Sequence, residues 1–181
     1  MRSCVTASPM TKISVLKIVE STTVDGPGLR TSVYSSGCVN ACPGCHNPQS
    51  WDIKNGTLMS IDEIMSKIVA EDFCNVTFTG GDPMYQAAAF AELAKRIKSE
   101  TDKDIWCYTG YTFEECLADD AKRSLLKQVD TLVDGRFVLA LRDTDLLFRG
   151  SSNQRILDVK ASLKAGTAVA AHPEEGLFPT I

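Results

Sequence analysis

Three cysteines lie within eight positions of the chain, in the segment SGCVNACPGCHNPQSWD at residues 36–52. Cys38, Cys42 and Cys45 form a C-x3-C-x2-C pattern, and their thiolates suit zinc or an iron–sulfur cluster. His46 is the obvious candidate for a fourth zinc ligand, but adjacent residues rarely turn both side chains onto one metal, and a second cysteine pair at zinc-ribbon spacing is absent from the sequence. The spacing favours a cluster with three protein ligands and one open iron, and it leaves a zinc site or chance clustering as alternatives.

Length and composition restrict the classes of protein that this chain represents. The 181 residues, 44% of them hydrophobic, are enough for one domain with a single core. The formal charge is -4, and the sequence contains no run of basic residues that could bind a phosphate backbone, so we expect no direct nucleic-acid partner. No apolar stretch reaches the roughly 20 residues that cross a bilayer, so we expect a cytoplasmic protein without a membrane partner. In that compartment, seven cysteines indicate metal or redox chemistry more than disulfides.

Apolar runs alternate with amphipathic segments along most of the chain. Helices are predicted where Ser60 and Thr112 each precede a glutamate by three residues, which is the capping-box pattern. A further helix is predicted from AAAFAELAKRIKSE. Strands are predicted at ISVLKIV, LRTSVYSS, NVTFTGG, DIWCYTG, TLVDGRFV and QRILDV.

This alternation indicates an α/β fold built from βαβ units. The chain is short for an eight-fold barrel of about 250 residues, so we expect a partial (β/α) barrel of five or six mostly parallel strands. The predicted domain covers residues 12–165, between a loose extension at 1–11 and a tail at 166–181. Chemistry is expected at the carboxyl ends of the strands, where the cysteine loop and the TGG turn both lie.

The TGGDP turn at residues 79–83 is the second candidate binding element. Gly80 and Gly81 let the backbone approach a ligand closely, and Asp82 offers an acceptor for a cationic ammonium group. An ordinary strand-to-helix turn is the alternative for this motif alone.

Four other residues carry weaker hypotheses. For His46, the hypothesis is a contact with a nucleoside, and the alternative is a structural role in the loop. For Asp134 in LVDGRF, it is a contact with a cofactor, and the alternative is an Asp-Gly turn. Arg30 and Arg149 pair with carboxylates of a cofactor or a partner, or are structural. We predict no catalytic residue beyond the three cysteines.

The cysteine pattern resembles the signature of the radical S-adenosylmethionine enzymes. VDGPGLRTSVYSSGCVNACPGCHNPQSWD is similar to the opening of the glycyl-radical-enzyme activases. The chain resembles the activating proteins of anaerobic ribonucleotide reductase from about residue 13 to residue 158. The further motifs that carry this resemblance occur in the same order: TFTGGDP, WCYTGYTFEE, LVDGRF and LLFRGSSNQRI. Two positions depart from the wider pattern: Gly44 replaces an aromatic residue before the third cysteine, and Asp82 replaces a glutamate.

The resemblance implies an oxidoreductase that uses a 4Fe-4S cluster and S-adenosylmethionine to form a 5′-deoxyadenosyl radical. It implies Cys38, Cys42 and Cys45 as cluster ligands, with S-adenosylmethionine near the residues Gly44, His46, Gly80, Gly81, Asp82 and Asp134. The implied partners are the glycyl-radical subunit of anaerobic ribonucleoside-triphosphate reductase and a flavodoxin- or ferredoxin-type electron donor. An activase of the pyruvate formate-lyase type and a zinc-bound structural or adaptor module remain the alternatives.

Overall fold

A computed structural model describes residues 11–172 of the chain. The predicted extension at 1–11, apart from Thr11, and residues 173–181 of the predicted tail lie outside the described residues. Seven strands are described: β1 (Lys12–Thr22), β2 (Arg30–Ser35), β3 (Thr57–Ser60), β4 (Asn75–Gly80), β5 (Ile105–Tyr108), β6 (Thr131–Asp134) and β7 (Arg155–Asp158). Five α-helices are described: α1 (Ile61–Val69), α2 (Ala87–Glu100), α3 (Phe113–Ala118), α4 (Asp120–Leu126) and α5 (Val159–Ala165).

The strands form one open sheet in the order β3-β1-β2-β4-β5-β6-β7. The central strands β2, β4, β5 and β6 are parallel neighbours, whereas β1 pairs antiparallel with β2 and β3, and β7 pairs antiparallel with β6. The predicted α/β class and the parallel centre are therefore confirmed. The strand number is seven rather than five or six, and the sheet does not close into a barrel because β3 and β7 are its two edges.

Side-chain alternation along the central strands separates the two faces of the sheet. Phe78 and Cys107 join the main core, which also contains buried residues of α1, α2, α3 and α4. Trp106 and Val133 point to the other face, where they form a much smaller apolar cluster. The helices thus cover one face, and the opposite face is left for a cavity.

Both capping boxes are present at the predicted helix starts. The Ser60 hydroxyl accepts a hydrogen bond from the Glu63 amide, and the Glu63 carboxylate accepts one from the Ser60 amide. Thr112 and Glu115 make the same reciprocal pair at the start of α3. Each box satisfies two amides that a helix start leaves without intrahelical partners.

A buried arginine joins three elements at the amino ends of the parallel strands. Arg30 is 1% exposed; its guanidinium donates to the Thr77 hydroxyl at 2.6 Å and to the Val76 carbonyl at 2.7 Å. It also pairs with Asp104 at 3.1 Å. Burial lowers the pKa of Arg30, and Asp104 opposes that shift. Arg30 is therefore a structural residue at the end of the sheet opposite the cysteine loop.

The first part of the predicted tail packs beside β7. The Asp158 amide donates to the Val169 carbonyl at 3.0 Å, and the Ala171 amide donates to the Ile156 carbonyl at 2.8 Å. Leu157 and Ala170 form an antiparallel bridge between these two bonds. Residues 169–171 therefore continue the sheet in short form beyond β7.

The aromatic pair of Phe78 and Phe90 provides a test of the main core. Both side chains are fully buried, with ring centroids 5.0 Å apart in an edge-on arrangement. Replacing Phe90 with alanine removes this contact and leaves a cavity, so we expect the free energy of unfolding to fall by about 3–5 kcal/mol in urea denaturation. Phe73→Ala is the matched control because Phe73 is 91% exposed, and its effect should stay within about 0.5 kcal/mol. Equal effects of the two changes would contradict this assignment of the core.

Candidate metal centre and ligand cavity

The cysteine loop leaves β2 and is fastened at its base by backbone hydrogen bonds. The Gly37 amide donates to the Ser50 carbonyl at 2.7 Å, and the Cys38 amide donates to the Trp51 carbonyl at 3.0 Å. The Asp82 amide donates to the Gly37 carbonyl at 2.9 Å, which ties the loop to the turn after β4. The first cysteine is therefore held beside the TGGDP turn.

Gln86 supplies a second clamp at the start of the loop. Its side-chain oxygen accepts the Ser14 amide, and its side-chain nitrogen donates to the Ser14 and Ser36 carbonyls, all at 2.9 Å. The three bonds join β1, the end of β2 and the short helical turn Pro83–Gln86. The place where the loop leaves the sheet is thus determined from both sides.

Within the loop, a tight turn presents the second and third cysteines. The Cys45 amide donates to the Cys42 carbonyl at 3.0 Å, and Gly44 between them has a φ of +74°. The Asn47 amide donates to the Cys45 sulfur at 3.4 Å. A cluster thiolate accepts such N–H groups, and they tune its potential.

All three thiols line one cavity of about 600 Å³ at the carboxyl ends of the parallel strands. The rest of the lining comes from β1, β2 and the turn between them, from the ends of β4 and β5 with the residues that follow them, and from the segment 135–154 after β6. The volume lies within the range of about 300–1,000 Å³ that is usual for small-molecule sites. The TGG turn and the cysteines therefore face a common space, as the position of both motifs after strands predicted.

The donor set fits an iron–sulfur cluster by its chemistry. Cys38, Cys42 and Cys45 are each half-buried free thiols, and soft thiolates are the ligands that such clusters take. Burial raises the pKa of Cys38, and the amides of Asn40 and Ala41 and the Asn40 side chain oppose that rise. Among residues 11–172, no group of three or more His, Cys, Asp or Glu side chains stands at metal-ligand geometry, so the thiols share a wall rather than forming a closed cage.

Of the predicted ligand-binding residues, His46, Gly80 and Gly81 line the cavity. The His46 ring contacts the Phe137 ring in a tilted arrangement, with ring centroids 5.3 Å apart and an angle of 49° between the ring planes. A Cβ on Gly81 would lie 2.6 Å from the Gly37 carbonyl oxygen, so the turn and the cysteine loop touch through backbone alone. The position before the third cysteine, Gly44, packs against Leu139 and does not line the cavity.

Asp82 lies beneath the cavity wall and binds protein groups. Its carboxylate is 1% exposed and accepts hydrogen bonds from the Thr109 hydroxyl at 2.9 Å and the Gly110 amide at 3.0 Å. It also accepts from the Met84 amide at 2.9 Å and from the Asn40 side chain at 3.1 Å. Burial raises the pKa of Asp82 to about 6, against these hydrogen bonds. In this structure the side chain holds three segments together and does not reach the cavity surface.

Asp134 is buried in the same way. It accepts from the Phe113 amide at 2.7 Å and from two nitrogens of Arg155 at 2.9 and 2.5 Å. The carboxylates of Asp134 and Glu114 raise the pKa of Arg155. Asp134 joins β6, β7 and the start of α3, while its neighbour Gly135 reaches the cavity.

Two groups of cavity residues were not predicted from the sequence, or were predicted only weakly. The first is Lys17, Asp25 and Tyr34, and the second is Arg149. Tyr34 donates its hydroxyl to Asp25 at 2.7 Å, and the Lys17 ammonium lies 4.5 Å from the centre of the Tyr34 ring. Burial raises the pKa of Tyr34 further than its bond to Asp25 does. On the other side, Arg149 lines the cavity, and its buried Nε atom has no hydrogen-bond partner within residues 11–172. Arg149 is one of the residues for which the sequence predicts a carboxylate partner, whereas no binding role is predicted for Lys17, Asp25 or Tyr34.

Within residues 11–172, the helices include none that is both long and apolar enough to cross a membrane.

A family model for a 4Fe-4S single cluster domain matches residues 24–157. The match includes the cysteine loop and the sheet from β2 into β7, so the fold and the site define an iron–sulfur protein of this single-cluster class, and the predicted iron–sulfur cluster is supported. The chain is 41% identical over 142 residues to the anaerobic ribonucleoside-triphosphate reductase-activating protein of Vibrio cholerae, covering 74% of this chain and 90% of the relative.

Two other relatives have the same name. The Haemophilus influenzae protein is 34% identical over 154 residues, which cover 80% of this chain and 97% of the relative. The protein of Enterobacteria phage T4 is 37% identical over 139 residues, which cover 74% and 86%. The chain belongs to the family of anaerobic ribonucleoside-triphosphate reductase-activating proteins.

The close contact at Gly80 predicts a site-specific effect of adding one methyl group. Gly80 has a φ of +100°, and a Cβ there would lie 2.6 Å from the backbone nitrogen of Ser35, which cannot move aside. We expect Gly80→Ala to bind less iron per chain after anaerobic reconstitution and to unfold at lower urea concentration. Gly166→Ala is the matched control, because Gly166 has a φ of +71° and open space around it, so only backbone strain of about 1–2 kcal/mol applies. Iron content as low in the control as in Gly80→Ala would contradict the contact.

The buried carboxylate of Asp82 predicts a specific dependence of stability on pH. Its pKa is about 6 in the folded protein against an ordinary value of 3.8, so its stabilising contribution is complete below 3.8 and is lost as pH rises through 6. We expect the free energy of unfolding of the unaltered protein, minus that of Asp82→Asn, to fall by up to about 3 kcal/mol between pH 4 and pH 7. Urea denaturation at several pH values measures this difference, with Asp72→Asn on the surface as control. A difference that rises with pH would show that the charged form is favoured on folding.

Proposed function

We propose that this protein is a radical S-adenosylmethionine activase that installs a glycyl radical on anaerobic ribonucleoside-triphosphate reductase. The observation that carries the proposal is the single cavity in which three cysteine thiols face the TGG turn. The reductase enters through the names of the relatives, which are called its activating proteins. The FRGSSNQRI segment also favours this activase over the pyruvate formate-lyase type.

In this proposal Cys38, Cys42 and Cys45 hold the 4Fe-4S cluster, and S-adenosylmethionine occupies the rest of the cavity. When bound, the two cofactors would together supply a 5′-deoxyadenosyl radical, with one external electron consumed and methionine released, and this radical would take a hydrogen atom from a glycine of the partner. The three thiols would supply three ligands to the cluster, and its remaining coordination position would be available to the amino and carboxylate groups of S-adenosylmethionine. An external flavodoxin- or ferredoxin-type donor provides the electron.

The chain's own residues bind and orient. The backbone of Gly80 and Gly81 approaches the ligand closely because neither residue has a side chain, and the aromatic rings of His46 and Phe137, which both line the cavity, offer contacts for an adenine. Arg149 offers a cationic group with a free N–H to a carboxylate. Asp82 and Asp134 position the cavity wall through buried hydrogen bonds rather than by touching the ligand, which revises the direct roles expected for their side chains.

The location of the cavity supports the proposal of a partial (β/α) barrel. Lys17, Tyr34 and Tyr108 line it from the face of the sheet that the helices do not cover. An open sheet with helices on one face and a ligand at the strand ends is the arrangement of a partial (β/α) barrel, and we propose that description for this domain.

Electron paramagnetic resonance of anaerobically reconstituted, dithionite-reduced protein tests the proposal. We expect about four iron atoms per chain and a 4Fe-4S signal that changes when S-adenosylmethionine is added, because the open iron acquires a ligand. Cys42→Ala should lose the signal, and Cys74→Ala, which removes a buried thiol outside the cavity, should retain it. Stoichiometric zinc without a reducible cluster would instead establish a structural metal site.

The partner is tested in the same preparation. Addition of anaerobic ribonucleoside-triphosphate reductase with S-adenosylmethionine and reductant should produce a glycyl-radical signal on the reductase, and pyruvate formate-lyase under the same conditions should give none. The reverse result would assign the protein to the other class of activase.

A further inference from the structure

The side chain of Asn40 connects the cysteine loop to the buried carboxylate of Asp82. Its amide nitrogen donates to the Asp82 carboxylate at 3.1 Å and to the Cys38 sulfur at 3.7 Å. Asn40 also lines the cavity, two residues beyond the first cysteine. One amide group therefore contacts both a thiol and the residue that organises the wall behind it.

The orientation of this amide is determined by its neighbours. Turning the amide over would bring its oxygen against the carboxylate of Asp82 and the sulfur of Cys38, both of which are acceptors. Asp82 also accepts hydrogen bonds from Thr109, Gly110 and Met84. When it is ionised, its carboxylate cannot donate a hydrogen bond to Asn40. The nitrogen must face the sulfur.

This orientation has a cost that the structure displays. The Asn40 side-chain oxygen is buried and has no hydrogen-bond partner among the described residues. A buried acceptor without a partner is unfavourable, and such atoms are rare in folded proteins. The donor side of the amide must therefore provide a compensating interaction, and its two acceptors are Asp82 and Cys38.

The backbone opposite Asn40 leaves room for this amide and for nothing more. A Cβ on Gly110 would lie 2.2 Å from the Asn40 amide nitrogen. The φ of Gly110 lies in the range that other residues adopt, so space rather than backbone conformation requires glycine there. The turn after β5 is thus shaped around the Asn40 side chain.

We infer that Asn40 is a positioning residue that orients Cys38 and raises the reduction potential of the cluster through its hydrogen bond to the Cys38 sulfur. Reduction adds negative charge to a cluster and its thiolates, and an N–H donor stabilises that charge more in the reduced state. Asp82 fixes the donor without touching the sulfur. This inference rests on the cluster assignment in the proposed function and adds a role for a residue that is not a ligand.

Redox titration of the reconstituted protein, followed by electron paramagnetic resonance, tests the inference. Asn40→Leu keeps a side chain of similar size and removes the donor, so the midpoint potential should become more negative. At the potential that half-reduces the unaltered protein, the ratio of reduced to oxidised cluster should fall about threefold to tenfold, and a tenfold fall corresponds to about 59 mV for one electron. Asn153→Leu is the matched control, because the Asn153 side-chain amide is likewise a hydrogen-bond donor, to the Arg136 carbonyl at 2.8 Å, but it lies outside this cavity and contacts no cysteine sulfur.

Gly110→Ala provides an independent perturbation that keeps Asn40. Its methyl group displaces the amide from the opposite side, so the potential should shift in the same direction. An unchanged potential in whichever of the two variants retains four iron atoms per chain would overturn the inference. Failure of the unaltered protein to form any reducible cluster would instead refute the proposed function.

Discussion

The carboxylate of Asp82 joins the segments from which the cavity is built. It accepts hydrogen bonds from the cysteine loop through Asn40, from the end of β5 through Thr109 and Gly110, and from its own turn through Met84. These segments come from distant parts of the chain and meet because the parallel strands end at the same edge of the sheet. Charge burial opposes the arrangement, and four donor groups make it stable. Asp82 thereby ties the start of the cysteine loop to the ends of β4 and β5.

The two ends of the sheet have different tasks. At the amino ends, Arg30 binds Thr77, Val76 and Asp104, and the Lys103 ammonium binds the carbonyls of Glu71 and Cys74 at 2.6 Å. These charges are satisfied by groups of the protein, so they contribute to stability and specificity of the fold. At the carboxyl ends, Arg149 Nε lies in the cavity wall with no hydrogen-bond partner in the described part of the chain, which is typical of a surface that binds a ligand.

The sequence predicted helices well where a short motif, such as a capping box, has one common structural meaning. Both capping boxes mark real helix starts, and α2 spans the predicted segment AAAFAELAKRIKSE. The antiparallel edges were not predicted, because pairing direction depends on how the chain returns and not on the alternation within a strand. β3 was missed since its four residues lie immediately before the capping box of α1 and carry little pattern of their own.

The site was predictable to the same extent. Three cysteines at close spacing and two glycines after a strand indicate one chemistry, and the structure brings them to one cavity. The sequence could not show that the side chains of Asp82 and Asp134 turn toward backbone amides, because an aspartate after a strand serves equally as a cap and as a ligand contact. Phe137 and Arg149 reach the cavity only through the path of the segment after β6, which has no regular pattern. The iron–sulfur class is supported by the family match, whereas the individual ligand contacts stay predictions.

The two margins of the sheet affect how another polypeptide can approach this protein. One margin is β3, which is only four residues long, and beside β7 the short stretch 169–171 occupies backbone groups that a visiting strand would need. Extending the sheet with a foreign strand therefore offers few hydrogen bonds on either side. A peptide that reaches the thiols therefore gains little of its binding from strand addition at either margin, and the cavity lining has to supply its contacts instead.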